Sequence, residues 1–189
     1  RDNPFKFMVG ENDKGEIIYE DKRETVIANT KRHELDALIV IGGDGSLNIA
    51  NKLSRECGVK VVGVPKTIDN DLPCTERTFG FDTAMAMATE ALDRLHTTAE
   101  SHHRVMALEV MGRYAGWIAL HSGIAGGADC ILIPEIPYRI EAVIRKIKQR
   151  QEQNKKFSII VIAEGARPVG GELSVARIVK GSFEPVRLG

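Results

Sequence analysis

The chain has 189 residues, and its 26 acidic and 26 basic side chains give it a formal charge of zero. A neutral chain has no global field that would favour nucleic acid or an anionic membrane surface. No apolar run approaches the roughly 18 residues of a membrane span. We therefore expect neither of these partners. The odd number of cysteines, three, without metal-ligand spacing favours a reducing, cytoplasmic compartment.

The first part of the chain predicts a strand, a surface loop and a helix. Residues 5–9 are apolar enough for a short strand, and residues 11–15 are rich in turn formers. Residues 21–32 are consistent with a helix that is partly buried. None of these segments carries a motif that indicates chemistry.

A glycine-rich loop follows the next strand. The apolar run 37–41 predicts a buried strand, and Gly-Gly-Asp-Gly-Ser follows at 42–46. Three glycines around an aspartate let backbone N–H groups approach an anion closely. The helix predicted at 47–57 adds its N-terminal dipole. The structural alternative is a tight turn with Asp44 or Ser46 as the helix cap.

A second polar loop follows one βα unit later. The run 60–64 predicts another buried strand, and Pro-Lys-Thr-Ile-Asp-Asn-Asp follows at 65–71. In open parallel α/β sheets, ligands bind at the carboxyl ends of the strands. Asp69 and Asp71 could take separate tasks there, one as a base and the other as a support for a cation. The alternative is a polar turn with Asx caps.

Strands and helices continue to alternate downstream. This alternation predicts an α/β fold of three layers, an αβα sandwich with a mostly parallel sheet, in which the polar strand ends collect at one edge. The predicted strands are 105–110, 130–133 and 157–163, and the predicted helices are 82–100, 114–124, 141–153 and 172–181.

These motifs resemble those of the phosphofructokinase family. The loops at 42–46 and 67–71 occur in the family's order, and three further matches follow at about its spacing. They are Met111-Gly112-Arg113, Pro134-Glu135-Ile136-Pro137 and Glu164-Gly165. The resemblance implies a phosphofructokinase-like catalytic domain that lacks both ends, with 1–165 as its main core and 166–189 as the start of the following segment.

The resemblance implies Mg²⁺-dependent phosphoryl transfer to the 1-hydroxyl of fructose 6-phosphate, a glycolytic step. It assigns Asp69 as the base that accepts the hydroxyl proton. Thr67 would contact the transferring phosphoryl group, and Asp71 would orient the sugar or support the metal shell. Asp44 would bind Mg²⁺ directly or through water. The donor phosphates would be lined by Gly42, Gly43, Gly45 and Ser46.

On the sugar side, the resemblance places Met111, Gly112 and Arg113 against the sugar and the transition state. Arg113 would stabilise charge on the transferring group, and Glu164 would accept hydrogen bonds from sugar hydroxyls. Arg104 would reach the sugar phosphate bound to a neighbouring subunit, because its planar guanidinium suits a phosphate dianion. A homo-oligomer, dimer or tetramer, is therefore expected.

The phosphoryl donor depends on two residues that disagree. Gly45 is the ATP-like choice, since no side chain fills the space of the α-phosphate; diphosphate users of the family typically place Asp there. Lys66 is the diphosphate-like choice, although some ATP-dependent members combine this Lys with this Gly. A side chain at position 45 that blocked the α-phosphate would be hard to compensate elsewhere, so we favour ATP, with diphosphate as the alternative.

Two alternatives come from other classes. A non-catalytic or regulatory relative would keep the fold without the chemistry, but the acidic residues and Arg113 are intact. Another Gly-Gly-Asp-Gly kinase, acting on a lipid or a dinucleotide, would not supply the motifs at 67–71 and 111–113. Without the family's missing ends, we expect the chain alone not to turn over.

Overall fold

The computed structural model describes residues 3–13, 16–171, 175–178 and 186–188, the last two segments by their backbone alone. The chain divides into two compact units, of which the first ends at Lys66 and the second begins at Thr67. Within the described residues, no helix is long and apolar enough to cross a membrane.

The first unit combines a β-hairpin with a parallel βαβ motif. Strands β1 and β2 pair antiparallel, whereas β3 and β4 pair in parallel from Leu38–Val61 to Gly42–Pro65. Helix α2 packs on one face of this parallel pair. The elements are β1 (Phe7–Glu11), β2 (Ile17–Glu20), α1 (Arg23–Arg32), β3 (Leu38–Gly42), α2 (Asp44–Cys57) and β4 (Val61–Thr67).

Only one face of the β3–β4 pair is buried. Leu47 of α2 lies over Gly63, so the Val40 and Gly63 face is covered by the helix. On the opposite face, Ile39 and Ile41 are 71% and 63% exposed. Val62 of β4 is also 59% exposed. The prediction of a buried strand is therefore wrong for this face of the pair, because α2 covers only the other face.

The second unit is built on a parallel sheet in the order β6-β8-β7, with β8 at its centre. The core joins Leu92 and Ala99 of α3 and Ala119 of α4 to Ile159 and Val161 of β8. Strands β9 and β10 form an antiparallel pair. The elements are β5 (Phe79–Gly80), α3 (Phe81–His102), β6 (Val105–Val110), α4 (Trp117–Ala125), β7 (Cys130–Leu132), α5 (Ile140–Glu152), β8 (Ser158–Ala163), β9 (Val175–Ile178) and β10 (Val186–Leu188).

Two predicted features of the secondary structure are wrong. Helix α2 begins at Asp44 rather than Leu47. Gly43 is its N-cap, and Gly45 and Ser46 belong to its first turn. The helix predicted at 172–181 is a strand at Val175–Ile178, the part of it that the structure describes, since this segment pairs with β10. The other residues of that prediction lie outside the described ones.

The strands that carry the predicted site residues lie in separate sheets. Strands β3 and β4 belong to one sheet, and β6 and β8 belong to another. The α/β fold with mostly parallel strands is confirmed. The strands do not, however, form a single sheet edge that collects all the loops. Alternation along the chain predicts the type of each element and leaves open which strands become neighbours.

A largely buried ion pair links α5 to the beginnings of β7 and β8. Arg150 Nη1 lies 2.6 Å from Asp129 Oδ1, and both side chains are about one-seventh exposed, at 14% and 13%. Arg150 also donates to Ser158 Oγ at 3.1 Å and to the Phe157 carbonyl at 3.2 Å. The second carboxylate oxygen of Asp129 accepts from Ile159 N at 2.9 Å. Both charges are therefore paired and hydrogen-bonded.

We expect Arg150→Ala to lower the free energy of unfolding by about 3 kcal/mol, because it leaves the Asp129 carboxylate buried without its cation. Urea denaturation followed by circular dichroism measures the change. Arg145→Ala is the matched control, since Arg145 lies on the same helix and is exposed. Equal losses of stability in the two variants would contradict this account of the ion pair.

Candidate active site

The loop after β3 brings a strand end close to a helix N-terminus. Gly42 is buried, and a Cβ atom there would lie 2.5 Å from Ser46 Cβ, so only glycine permits this approach. The first intrahelical hydrogen bond of α2 runs from Leu47 N to Gly43 O. The N–H groups of the preceding helical residues have no partner within the helix. Together with the helix dipole, they suit an anion such as a phosphate.

Asp44 stands in the first turn of α2 with its side chain exposed. Asn48, one turn further on, donates to Asp44 Oδ1 at 2.9 Å and orients the carboxylate. Mg²⁺ usually keeps several waters and takes one or two carboxylates together with substrate phosphates. A single exposed carboxylate beside a turn that suits a phosphate fits that mode. Among the described residues, no three His, Cys, Asp or Glu side chains cluster as a protein-only metal site.

The loop after β4 brings two of the predicted catalytic residues together. Thr67 Oγ1 donates to Asp69 Oδ2 at 3.4 Å and accepts from Asp69 N at 3.3 Å. Asn70 follows with a φ of 52°, which reverses the chain. Asp69 is half-buried, whereas Asp71 is exposed. The two carboxylates therefore occupy different surroundings, which allows them separate chemical tasks.

The Met-Gly-Arg and Glu-Gly motifs meet where β6 and β8 end. These strands pair as far as Val110 and Ala163. Beyond that pair, Glu164 N donates to Val110 O at 2.9 Å, and Gly165 N donates to Gly112 O at 3.2 Å. We call this pair of backbone hydrogen bonds the Glu-Gly seam. It places Glu164 beside the backbone that carries Arg113.

Glycines make the seam possible. Gly112 has a φ of 149°, a conformation that side chains disfavour. A Cβ atom on Gly165 would lie 2.0 Å from the carbonyl oxygen of Arg113, so the two backbones touch directly. No other residue could stand at position 165 without a backbone shift.

Glu135 holds the far end of the loop that begins with Met111. Its Oε1 accepts from Gly116 N at 2.8 Å, just before α4 begins. A carboxylate at a helix N-terminus is favoured by the helix dipole. The sequence indicates Glu135 only as part of a motif and does not predict this contact, because the partner lies 19 residues away and no local pattern reveals it.

Arg104 lies away from the other predicted site residues at the end of β6. It immediately precedes β6, whereas Met111 follows the opposite end of that strand. The six residues of β6 separate these ends by about 20 Å. The exposed Arg104 and the Met-Gly-Arg motif therefore do not share one site within the chain.

The predicted site residues are divided between the two units. The first unit holds the glycine-rich loop with Asp44, and it ends with the exposed Lys66. The second unit brings Thr67 beside Asp69 and brings Glu164 beside the Met-Gly-Arg motif. Each group is assembled by backbone or side-chain contacts within its own unit.

Comparison with known proteins identifies the family. The family model for phosphofructokinase matches residues 6–185. The chain belongs to the phosphofructokinase family. Its motifs at 42–46 and 67–71 are thus family motifs in a family member, and the predicted α/β fold is that of the phosphofructokinases.

Similar phosphofructokinases use different donors according to their names. An ATP-dependent 6-phosphofructokinase 2 of Clostridium perfringens is 59% identical over 189 residues, which are all of this chain and 51% of the relative. A pyrophosphate–fructose 6-phosphate 1-phosphotransferase of Amycolatopsis mediterranei is 53% identical over 190 residues, covering 100% of this chain and 51% of the relative. The chain spans about half the length of these curated relatives.

Solved phosphofructokinases share the fold. The pyrophosphate-dependent phosphofructokinase of Nitrosospira multiformis superposes with a TM-score of 0.73 at 28% identity, over 80% of this chain and 42% of that one. The phosphofructokinase of Saccharomyces cerevisiae gives a TM-score of 0.69 at 32% identity, over 78% of this chain and 23% of that one. Both likenesses agree with the predicted α/β class.

Proposed function

We propose that the complete polypeptide transfers the γ-phosphoryl group of ATP to the 1-hydroxyl of fructose 6-phosphate. The observation that carries the proposal is the pairing of Thr67 with Asp69 at the end of β4, where a base and a hydroxyl face each other. The hydroxyl oxygen of the sugar forms a bond to phosphorus, and the bond from phosphorus to ADP breaks. Asp69 accepts the hydroxyl proton. The products are fructose 1,6-bisphosphate and ADP.

On the donor side, the backbone N–H groups at the start of α2 bind phosphate oxygens, with Gly42, Gly43, Gly45 and Ser46 as lining. Asp44 holds Mg²⁺ directly or through water, as its exposed carboxylate beside this turn allows. The ion supplies charge neutralisation on the donor phosphates when it is bound. Thr67 contacts the transferring group. Asp71 orients the sugar or supports the metal shell.

On the acceptor side, Glu164 and Arg113 act together because the Glu-Gly seam holds their backbones in contact. Glu164 accepts hydrogen bonds from sugar hydroxyls. Arg113 stabilises the negative charge that spreads over the phosphoryl oxygens in the transition state. Arg104, at the opposite end of β6, serves the sugar phosphate of a neighbouring subunit in a homo-oligomer. Three free cysteines favour a cytoplasmic enzyme.

Identity alone does not decide the donor, since relatives named for ATP and for pyrophosphate are 59% and 53% identical. The missing side chain at Gly45 favours ATP. The observation that favours diphosphate is Lys66. The complete polypeptide should therefore be assayed with fructose 6-phosphate and Mg²⁺, with ATP and diphosphate offered in parallel. Product with ATP alone supports our proposal, and product with diphosphate alone overturns its choice of donor.

We expect Gly45→Asp to lower kcat/KM for ATP by roughly 10²-fold or more, because a carboxylate adds bulk and negative charge where the α-phosphate binds. KM for fructose 6-phosphate should change little. Steady-state kinetics with each substrate varied in turn measures both effects. Gly10→Ala is a suitable control, since a Cβ atom there meets nothing within 4 Å. Full ATP activity in Gly45→Asp would refute the steric argument.

If the folded polypeptide gave no product with either donor, that result would favour the non-catalytic or regulatory alternative. Binding of fructose 6-phosphate without turnover would then be the property to measure. The chain spans about half the length of its curated relatives, so the 189 residues by themselves are expected to be inactive and the comparison is made with the complete polypeptide.

A further inference from the structure

The turn that carries Thr67 and Asp69 is anchored by a second segment of the same unit. Asn70, in the left-handed conformation, uses both ends of its side-chain amide. Its Nδ2 donates to Glu76 O at 3.2 Å, and its Oδ1 accepts from Thr78 N at 2.9 Å. The amide thus binds the backbone at 76–78 through two hydrogen bonds and fixes the position of the turn.

Thr78 makes a further contact from a buried position. Its side chain is 3% exposed, and its Oγ1 donates to the carbonyl oxygen of Thr67 at 2.8 Å. The carbonyl of Thr78 in turn accepts from Phe81 N at 3.2 Å. Phe81 is the fully buried first residue of α3. Thr78 therefore connects the turn to the packed start of a long helix.

The distances indicate which contacts determine the geometry of the turn. The two hydrogen bonds between Thr67 and Asp69 measure 3.3 and 3.4 Å, which is longer than the usual range for such bonds. The bonds from Thr78 Oγ1 to Thr67 and from Thr78 N to Asn70 are 2.8 and 2.9 Å, which is near the optimum. The shorter bonds constrain the backbone more strongly than the longer ones.

We propose that Asn70 and Thr78 are positioning residues that hold Thr67 and Asp69 in a geometry ready for reaction. This inference rests on the proposed function, in which Asp69 is the base. Neither residue touches the reacting groups itself. Asn70 and Thr78 fix the backbone, and the backbone aims the Thr67 hydroxyl and the Asp69 carboxylate. Their loss should therefore slow the chemical step and leave substrate binding nearly unchanged.

The first test compares three variants of the complete polypeptide. Thr78→Val keeps the shape and removes the hydroxyl, whereas Thr78→Ser keeps the hydroxyl. Thr75→Val is the matched control, because Thr75 Oγ1 donates to Arg77 O at 2.9 Å within the same loop, whereas Thr78 Oγ1 donates to Thr67 in the turn. We expect Thr78→Val to lower kcat roughly 10–100-fold with KM for fructose 6-phosphate within about threefold. Thr78→Ser and Thr75→Val should stay within about threefold of wild type in kcat.

A second readout does not depend on activity. Amide hydrogen exchange of peptides that cover residues 67–71 should accelerate in Thr78→Val and stay at the wild-type rate in Thr75→Val. If the wild-type polypeptide shows no transfer to fructose 6-phosphate, the proposed function fails, and exchange alone decides whether Thr78 positions the turn. Unchanged exchange together with unchanged kcat in Thr78→Val would overturn the inference.

A further variant keeps the inference falsifiable if Thr78→Val does not fold. Asn70→Gly removes both side-chain bonds, and glycine adopts the φ of 52° readily. We expect the same loss of kcat with little change in KM, and faster exchange at 67–71. An Asn70→Gly enzyme that matches wild type in kcat and in exchange would overturn the role of Asn70.

Discussion

Replacement of Asp69 by alanine is expected to lower kcat of the complete polypeptide by roughly 10²–10⁴-fold, the range that a positioned general base contributes. The half-buried carboxylate faces Thr67 Oγ1 at the end of β4, so its removal would delete the proposed proton acceptor. KM for ATP should change little, because we propose that the glycine-rich loop binds the donor. Steady-state kinetics at saturating substrate measures the loss.

Two further variants make this result specific. Asp69→Asn keeps the shape of the side chain and removes its capacity to take a proton, so it should lose nearly as much activity as Asp69→Ala. Asp93→Ala replaces an exposed aspartate of α3 and should leave kcat unchanged. Turnover within about threefold of wild type in Asp69→Asn would reject Asp69 as the base, since that range is far below the usual effect.

Gly165→Ala is expected to lower kcat/KM for fructose 6-phosphate by about 10²-fold, because a misplacement of about 1 Å at a reacting centre has that effect. The added methyl group would lie 2.0 Å from the carbonyl oxygen of Arg113. The two backbones must therefore separate, and the Glu-Gly seam opens. Glu164 and Arg113 would no longer face the sugar in the proposed geometry.

The control for this variant is Gly10→Ala, which adds the same methyl group to an open position. It should keep wild-type kcat/KM. Thermal unfolding of both variants shows whether Gly165→Ala also loses stability, since overpacking a crowded interior typically costs about 1–3 kcal/mol. A Gly165→Ala enzyme with wild-type kcat/KM would show that the seam does not position the sugar-binding residues.

Much of the fold was predictable from hydrophobic patterns. The helices α1, α3 and α5 and the strands β6 and β8 lie within a few residues of their predicted positions. Helix α5 mixes apolar and charged residues at helical spacing, whereas β8 is almost entirely apolar. The start of α2 was less predictable. Glycine and serine at its first turn have the composition of a loop, and the structure uses that turn as the beginning of a helix.

Contacts between distant segments were not predictable in the same way. The motif at 67–71 indicated candidate residues, but the clasp of Asn70 on Thr78 requires a left-handed backbone that composition does not reveal. The cap that Glu135 provides for Gly116 likewise depends on which segments fold next to each other. Periodicity reports which face of an element is apolar and carries no information about its partner.

The hydrogen bonds of the Glu-Gly seam join main-chain atoms alone, so apart from its two glycines the seam does not depend on which side chains flank it. Evolution or a protein engineer could therefore exchange Glu164 for another group while the backbone at Arg113 stays where it is. Acceptor preference and charge stabilisation would then vary as separate traits. A scaffold of this kind permits new acceptors to be explored through single substitutions, provided that both glycines are retained.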